Sequence, residues 1–371
     1  MIDDTIRNFT KLSVAILVSA TAVMADEITL LRPLDEVRSL HTPAQREFFS
    51  LPRARRRANF IDQNIRIQWK KIGSQPASVE LVWRSDLPAD AVLTLILTCD
   101  GMEKRFSVSG DRFAAVNLLP GKNYSWQVVG ILSNGMKVFS PVGKFQTAGE
   151  LPRLLNFFNV GNVRDLGGYI ASDGKKVRFD RIYRGRALNN NSPDQKTTPG
   201  ALRVTSREIA KIQEFKIKTD LELRSNGQTA GMTETPFGGD TRWERTGGLV
   251  SYGYILTPAH KRRFATTIRT FLVENNYPIY VHCDGGRDRT GTLCFLVLGA
   301  LGVGDADLEL DWQTSALYFS DLPQKYFDDF IEALRTVYGK GSYAELAQCY
   351  LLDIGFSIND IRKLRELLLT E

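Results

Sequence analysis

One stretch of the chain concentrates residues able to do chemistry: Tyr280-Val-His-Cys-Asp-Gly-Gly-Arg-Asp-Arg-Thr-Gly291. An apolar run leads into Cys283, five residues separate Cys283 from Arg289, and Thr290-Gly291 opens a helical pattern. A strand-to-helix turn containing Gly285 and Gly286 lets successive backbone N–H groups converge on one point and cradle an anion. The helix N-terminus that follows adds free donors and the positive end of its dipole. A cysteine at the centre of that field gives up its proton readily and becomes a nucleophile. Arg289, planar and permanently charged, can return over the loop and grip two phosphate oxygens. The same nest, dipole and guanidinium would stabilise charge on a transferring phosphoryl group. The bland alternative is a strand-turn-helix crossover that merely contains a cysteine and an arginine.

The elements that must hold this loop are legible on either side of it. From Leu154 onward the chain alternates helix and strand. Thr205-x-x-Glu208 is a capping box opening a helix over Ile209–Phe215, which leads into a strand over Lys218–Leu223. A helix over Lys261–Glu274 precedes the strand Ile279–His282, and a further helix runs from Thr290 to Leu301. The remaining residues keep a helical period to the end. The pattern predicts an α/β domain over 154–371 with a central sheet and a helical C-terminal half.

His282-Cys283, Arg289 and Thr290 match, residue by residue, the signature of the protein tyrosine phosphatase superfamily, which this loop resembles. The resemblance implies that Cys283 attacks phosphorus, Arg289 binds the phosphate, and the Thr290 hydroxyl helps the thiolate leave. The loop residues Asp284, Gly285, Gly286 and Arg287 would complete the substrate-binding set. A narrower likeness covers about 215 residues from Leu154. Asn162-Val-Arg-Asp-Leu-Gly-Gly-Tyr169, Ile182-Tyr-Arg-Gly-Arg186, Asp220-Leu-Glu-Leu-Arg-Ser225 and the loop resemble the bacterial atypical tyrosine phosphatases. That branch acts on phosphotyrosine, other phosphoresidues and phosphoinositides. Arg287 stands where its members carry Lys, which keeps the charge and changes the hydrogen-bond geometry.

The leaving oxygen needs a general acid. The chain has no Trp-Pro-Asp tripeptide. In the narrower branch the Asp before the loop Arg is the proposed acid, which corresponds to Asp288, with Asp165 and Asp220 as rivals. Asp288 could instead be a structural carboxylate holding Arg287 or Arg289. Asp165 with Arg164, and Asp220 with Arg224, could equally be structural pairs beside the site.

The N-terminal half reads differently. Ile65–Trp69, Val79–Trp83, Val92–Thr98, Arg105–Val108, Ser125–Leu132 and Val138–Phe145 are β-branched and aromatic runs punctuated by Pro and Gly. Leu119-Pro-Gly-x-x-Tyr124-x-Trp126 resembles the tyrosine-corner region of fibronectin type III domains, so a β-sandwich is expected over 63–149. It would serve as scaffold or as a surface for docking another protein. Residues 26–62 are expected to be an extension, with the four arginines of Leu51–Phe60 in a solvated segment.

At the start, Arg7 and Lys11 precede the apolar run Leu12–Val23 and a small-residue site ending at Ala25, the pattern of a cleaved signal peptide over 1–25. The run is too short to span a bilayer. A periplasmic or secreted protein follows, and the net charge of +6 suits anionic substrates or an anionic envelope. Nothing implies nucleic acid. Cys99, Cys294 and Cys349 read as small buried hydrophobes. His41, His260 and His282 lack ligand spacing, so neither metal nor other cofactor is expected. The expected activity is hydrolysis of phosphate monoesters, phosphotyrosine first, with phosphoserine, phosphothreonine and phosphoinositide behind it. The alternatives are an inositol polyphosphate phosphatase and a non-catalytic module that captures phosphorylated ligands.

Overall fold

The computed structural model describes residues 27–52, 73–190, 200–319 and 323–371. The leader, the expected strand Ile65–Trp69 and most of the arginine-rich run lie outside the described residues. Two regions follow one another, a sheet-rich N-terminal one and an α/β one.

The first region contains β1 (Ile28–Arg32), β2 (Glu36–Arg38), α1 (Pro43–Ser50), β3 (Val79–Ser85), β4 (Val92–Cys99), β5 (Met102–Val108), β6 (Arg112–Ala115), β7 (Asn123–Ile131), β8 (Lys137–Phe139) and β9 (Gly143–Thr147). One sheet has the order β1-β3-β6; the other has β2-β9-β7-β4-β5, with β8 paired to β7. Alternate residues of both turn inward, so Leu81, Trp83, Leu95, Trp126 and Val128 share one core. β1 and β2 come from 26–62, the segment expected to be an extension, and they pair within the two sheets. The run Val138–Phe145, expected as one strand, divides into β8 and β9. Pro141 lies in the gap and has no N–H for a ladder. The Ser140 hydroxyl there accepts from Val128 N instead, at 3.0 Å. Tyr124 accepts from Leu119 N through its hydroxyl at 2.8 Å, pinning the approach to β7.

The second region holds β10 (Arg164–Asp165), β11 (Ile182–Arg186), α2 (Ser206–Ile212), β12 (Thr219–Glu222), β13 (Arg242–Arg245), α3 (Pro258–Arg269), β14 (Ile279–Cys283), α4 (Asp288–Ala300), α5 (Asp305–Gln313), α6 (Gln324–Tyr338), α7 (Tyr343–Asp353) and α8 (Ile358–Leu368). The sheet order is β10-β11-β14-β12-β13, parallel except for β10. β14 is central and buried along its whole length, as a parallel strand covered on both faces must be. One core joins Ile279, Val281 and Leu221 to the apolar faces of α4, α6 and α7, and another gathers Tyr183, Tyr280, Ile212 and Phe237. Three helices of this region open with reciprocal capping boxes: Thr205 with Glu208, Ser342 with Glu345, and Ser357 with Asp360. Among the described residues no helix is long and apolar enough to cross a membrane.

The two regions are joined by side chains as well as by the chain itself. Phe48 of α1 packs with Leu154 and Leu317. Buried Arg153 donates to Asn117 O (2.8 Å) and Leu118 O (3.1 Å) on one side, and to Asp165 Oδ2 (2.8 Å) and Asp180 Oδ1 (2.5 Å) on the other.

Candidate active site

Cys283 is the last residue of β14 and is buried beside Arg186 of β11 in parallel register. The chain then turns sharply through Gly285 and Gly286 into α4. Gly286 has φ +66°, and a Cβ there would fall 2.2 Å from the carbonyl oxygen of Gly185. Any side chain would therefore be both strained and blocked by backbone. The turn's carbonyls are held from behind. Asn162 Nδ2 donates to Gly285 O (3.2 Å) and Gly286 O (3.1 Å), and Arg184 Nη2 donates to Gly286 O (2.7 Å). Ala187 N donates to the carbonyls of Cys283 (3.0 Å) and Asp284 (3.3 Å). A trans peptide sets each C=O opposite the next residue's N–H. Drawing these carbonyls and those of Gly285 and Gly286 back therefore leaves the amides of residues 284–287 facing the other way. Among the described residues, no carbonyl accepts from the amides of Asp284, Gly285 or Gly286. Backbone N–H groups converging in such a turn can cradle an anion.

Charge beneath the turn reinforces it. Asp311 of α5, fully enclosed, accepts from Arg164 Nε (2.8 Å) and from Arg184 Nη1, and its backbone carbonyl accepts from Arg164 Nη2 (2.6 Å). Burial would raise the Asp311 carboxyl, but the two guanidiniums hold it below the usual carboxylate range. Two cations against one anion leave a net positive charge beneath the turn.

The three candidate acids occupy different settings. Asp165 is wholly buried, accepting from Arg153 Nη1, Gly167 N (2.7 Å) and Asp180 N (2.9 Å). Burial pushes it up to about 6 against the pull of Arg153. Asp220 is also wholly buried, with Oδ1 2.7 Å from His282 Nε2 and Oδ2 accepting from Thr235 (2.6 Å). Arg224, expected beside Asp220, instead forks onto Glu222 at 2.6–3.0 Å. Only Asp288, the first residue of α4, is partly exposed at the loop. Its Oδ1 accepts from the Tyr252 hydroxyl (2.5 Å) and from Arg287 Nε (3.0 Å).

Arg289 projects its Nη1 onto Gln228 Oε1 at 2.7 Å, and a guanidinium carries five N–H groups in all. Arg287 lies over the ring of Phe319, 5.0 Å from its centroid. Asp284 pairs with Arg203 Nη2 (3.0 Å), and Arg186 donates to the Tyr318 hydroxyl (2.8 Å). Thr290 is buried with its hydroxyl unpartnered among the described residues. Tyr252 and Gln228 escaped the sequence reading, because no spacing ties a residue some 35 or 60 positions upstream to the loop it supports. Asn162 stood in a quoted motif without a role. The four cysteines are free thiols, and burial pushes Cys294 up to about 12.

With that geometry in view, comparison with known proteins becomes decisive. The family model described as the tyrosine phosphatase family matches residues 155–370, more than half of the chain. The chain belongs to the tyrosine phosphatase family. A protein of Cupriavidus necator, named as a candidate tyrosine-protein phosphatase, is 26% identical over 179 residues. The similarity covers 42% of this chain and 60% of that relative, so less than two thirds of the relative's length is spanned. The tyrosine phosphatase match contains the loop, Asn162, Gln228, Tyr252 and Asp311, and it begins just past the N-terminal sheets.

Proposed function

We propose that this chain hydrolyses phosphate monoesters through a cysteinyl-phosphate on Cys283, with phosphotyrosine as the preferred substrate. The observation that carries the reading is the turn after Cys283, whose Gly285 and Gly286 carbonyls are drawn back by Asn162 and Arg184. The Cys283 thiolate attacks phosphorus while the loop amides and Arg289 take the equatorial oxygens. The bond from phosphorus to the ester oxygen breaks, and Asp288 passes its proton to that oxygen. Water then attacks phosphorus, with Asp288 taking its proton. The new phosphorus–oxygen bond forms as the phosphorus–sulfur bond breaks, and inorganic phosphate leaves with the thiolate restored. The Thr290 hydroxyl, buried and without a partner among the described residues, is assigned to donate to the departing sulfur.

Asp288 is assigned as the acid because the other two carboxylates are sealed from solvent and engaged. An aromatic leaving group suits a rim carrying Tyr252, Tyr318 and Phe319. A cavity of about 620 Å³ bounded by Tyr252, Tyr254, Tyr326 and Phe330 adjoins the acid through Tyr252. The N-terminal sheets read as a fibronectin type III-like sandwich, supported by the Tyr124 hydroxyl on Leu119 N. The leader pattern supports export to the periplasm or beyond.

Turnover of a phosphotyrosine peptide, a phosphoinositide and inositol hexakisphosphate, compared in wild type and Cys283→Ser, tests the proposal. Phosphotyrosine should be the best substrate and Cys283→Ser inactive. Binding of phosphorylated ligand without turnover by reduced wild type would sink the enzymatic reading.

A further inference from the structure

Asn162 adopts a left-handed backbone, φ +60°, that residues bearing side chains seldom hold unless their surroundings impose it. It is almost wholly buried, and every polar group it carries is in use. Oδ1 accepts from Arg164 Nη1 at 2.7 Å, which fixes the amide with its NH2 toward the loop. Nδ2 then reaches Gly285 O, Gly286 O and Ser315 Oγ at 3.1–3.2 Å. The backbone N–H donates outside the α/β region altogether, to Ser74 Oγ at 2.8 Å.

Ser74 belongs to the stretch leading into β3, and that stretch is itself anchored. Gln45 of α1 donates from Nε2 to Gly73 O (2.7 Å) and Gln75 O (2.5 Å). Ala77 N donates to Leu40 O (2.8 Å), and the Gln75 side chain donates to Phe158 O. α1 is in turn seated by Phe48 on Leu154 and Leu317. Two hydrogen bonds therefore separate the N-terminal region from the turn that cradles phosphate.

We propose that Ser74 is a positioning residue of the phosphate-binding loop, acting through Asn162, so that the N-terminal region completes the active site rather than merely preceding it. Its kinetic consequence rests on the phosphatase reading above; its effect on the Cys283 thiol does not. Without the Ser74 oxygen the Asn162 N–H is buried and unpaired, and the left-handed turn loses one of its constraints. Once the Asn162 amide shifts, the carbonyls of Gly285 and Gly286 lose their donors. Their peptide planes can then rotate and present oxygen where N–H should meet the anion.

The test uses the full chain carrying Ser74→Ala, Ser74→Thr, Asn162→Asp or, as control, Ser78→Ala, whose hydroxyl donates to Glu80 (3.0 Å). Three quantities are read: turnover, melting temperature, and the rate of Cys283 alkylation by iodoacetamide at about pH 6 with and without inorganic phosphate. Ser74→Ala should lose about tenfold in kcat/KM, alkylate more slowly, and gain less protection from phosphate. Ser74→Thr should restore all three properties, Asn162→Asp should resemble Ser74→Ala, and Ser78→Ala should match wild type. Wild-type turnover and alkylation in Ser74→Ala, whatever its melting temperature, would overturn the proposal. So would wild-type kinetics in Asn162→Asp, the deciding variant if Ser74→Ala does not fold. A wild type without turnover would count against the phosphatase reading alone, because the alkylation comparison still decides the role of Ser74.

Discussion

Asp165 takes three hydrogen bonds in a sealed site, whereas Asp288 stands at the loop with its carboxylate reached by Tyr252 and Arg287. Asp288→Asn should therefore lower kcat by about 10²–10³-fold, most for poor leaving groups, with the loss read from a series of aryl phosphates. Asp165→Asn should leave kcat near wild type and cost about 1–3 kcal/mol in denaturant unfolding. His282 provides a pH test. Burial would lower its pKa, but Glu222 and Asp220 outweigh that and hold it above the ordinary value. A folded value above the unfolded one means the imidazolium stabilises the fold fully below about pH 6.5. That contribution is lost as pH rises through the raised value. Melting temperature should fall over this alkaline side, and His282→Gln should flatten the dependence. Cys283, Arg289 and Asp288 could be singled out as candidates because they sit together in one short stretch whose chemistry depends on spacing. Tyr252, Gln228 and Asn162 were not, because their roles arise only when distant segments fold onto that stretch.

At the scale of elements, β14, the turn and α4 form the unit of the proposed site, and Arg184, paired with Asp311 beside Arg164, holds the turn from beneath. Gly286→Ala meets both a positive φ and the Gly185 carbonyl. It should cost at least about 2 kcal/mol of stability or abolish phosphate binding, measured by unfolding and by protection of Cys283 from alkylation. Asp311→Ala strands two buried guanidiniums and should cost about 3–5 kcal/mol. The strand and helix around Cys283 fall where apolar runs and glycines place them in the sequence. Asp311 is different: it lies in a helix whose sequence bears no mark of an ion pair with β10 and β11. Likewise Pro141 was visible, yet only the pairing of β8 and β9 with β7 reveals that it ends one strand and begins another.

Across the whole molecule, Arg153 and the Phe48–Leu154–Leu317 cluster tie the sheet-rich region to the α/β region. Arg153→Ala removes bonds to both regions at once and leaves Asp165 without its partner cation. It should split a single melting transition into two, resolvable by calorimetry. The two-region layout was readable from the change of hydrophobic period near Gly149. The inclusion of β1 and β2 was not, since short edge strands beside charged residues look like linker until their partners are known. The most direct test of the account is to mix the enzyme rapidly with a phosphotyrosine substrate, quench in acid and locate the phosphoryl group by mass spectrometry. The account predicts a thiophosphate on Cys283, accumulating further when Asp288→Asn slows its hydrolysis. Steady release of phosphate with no label on Cys283, or undiminished turnover in Cys283→Ser, would contradict it.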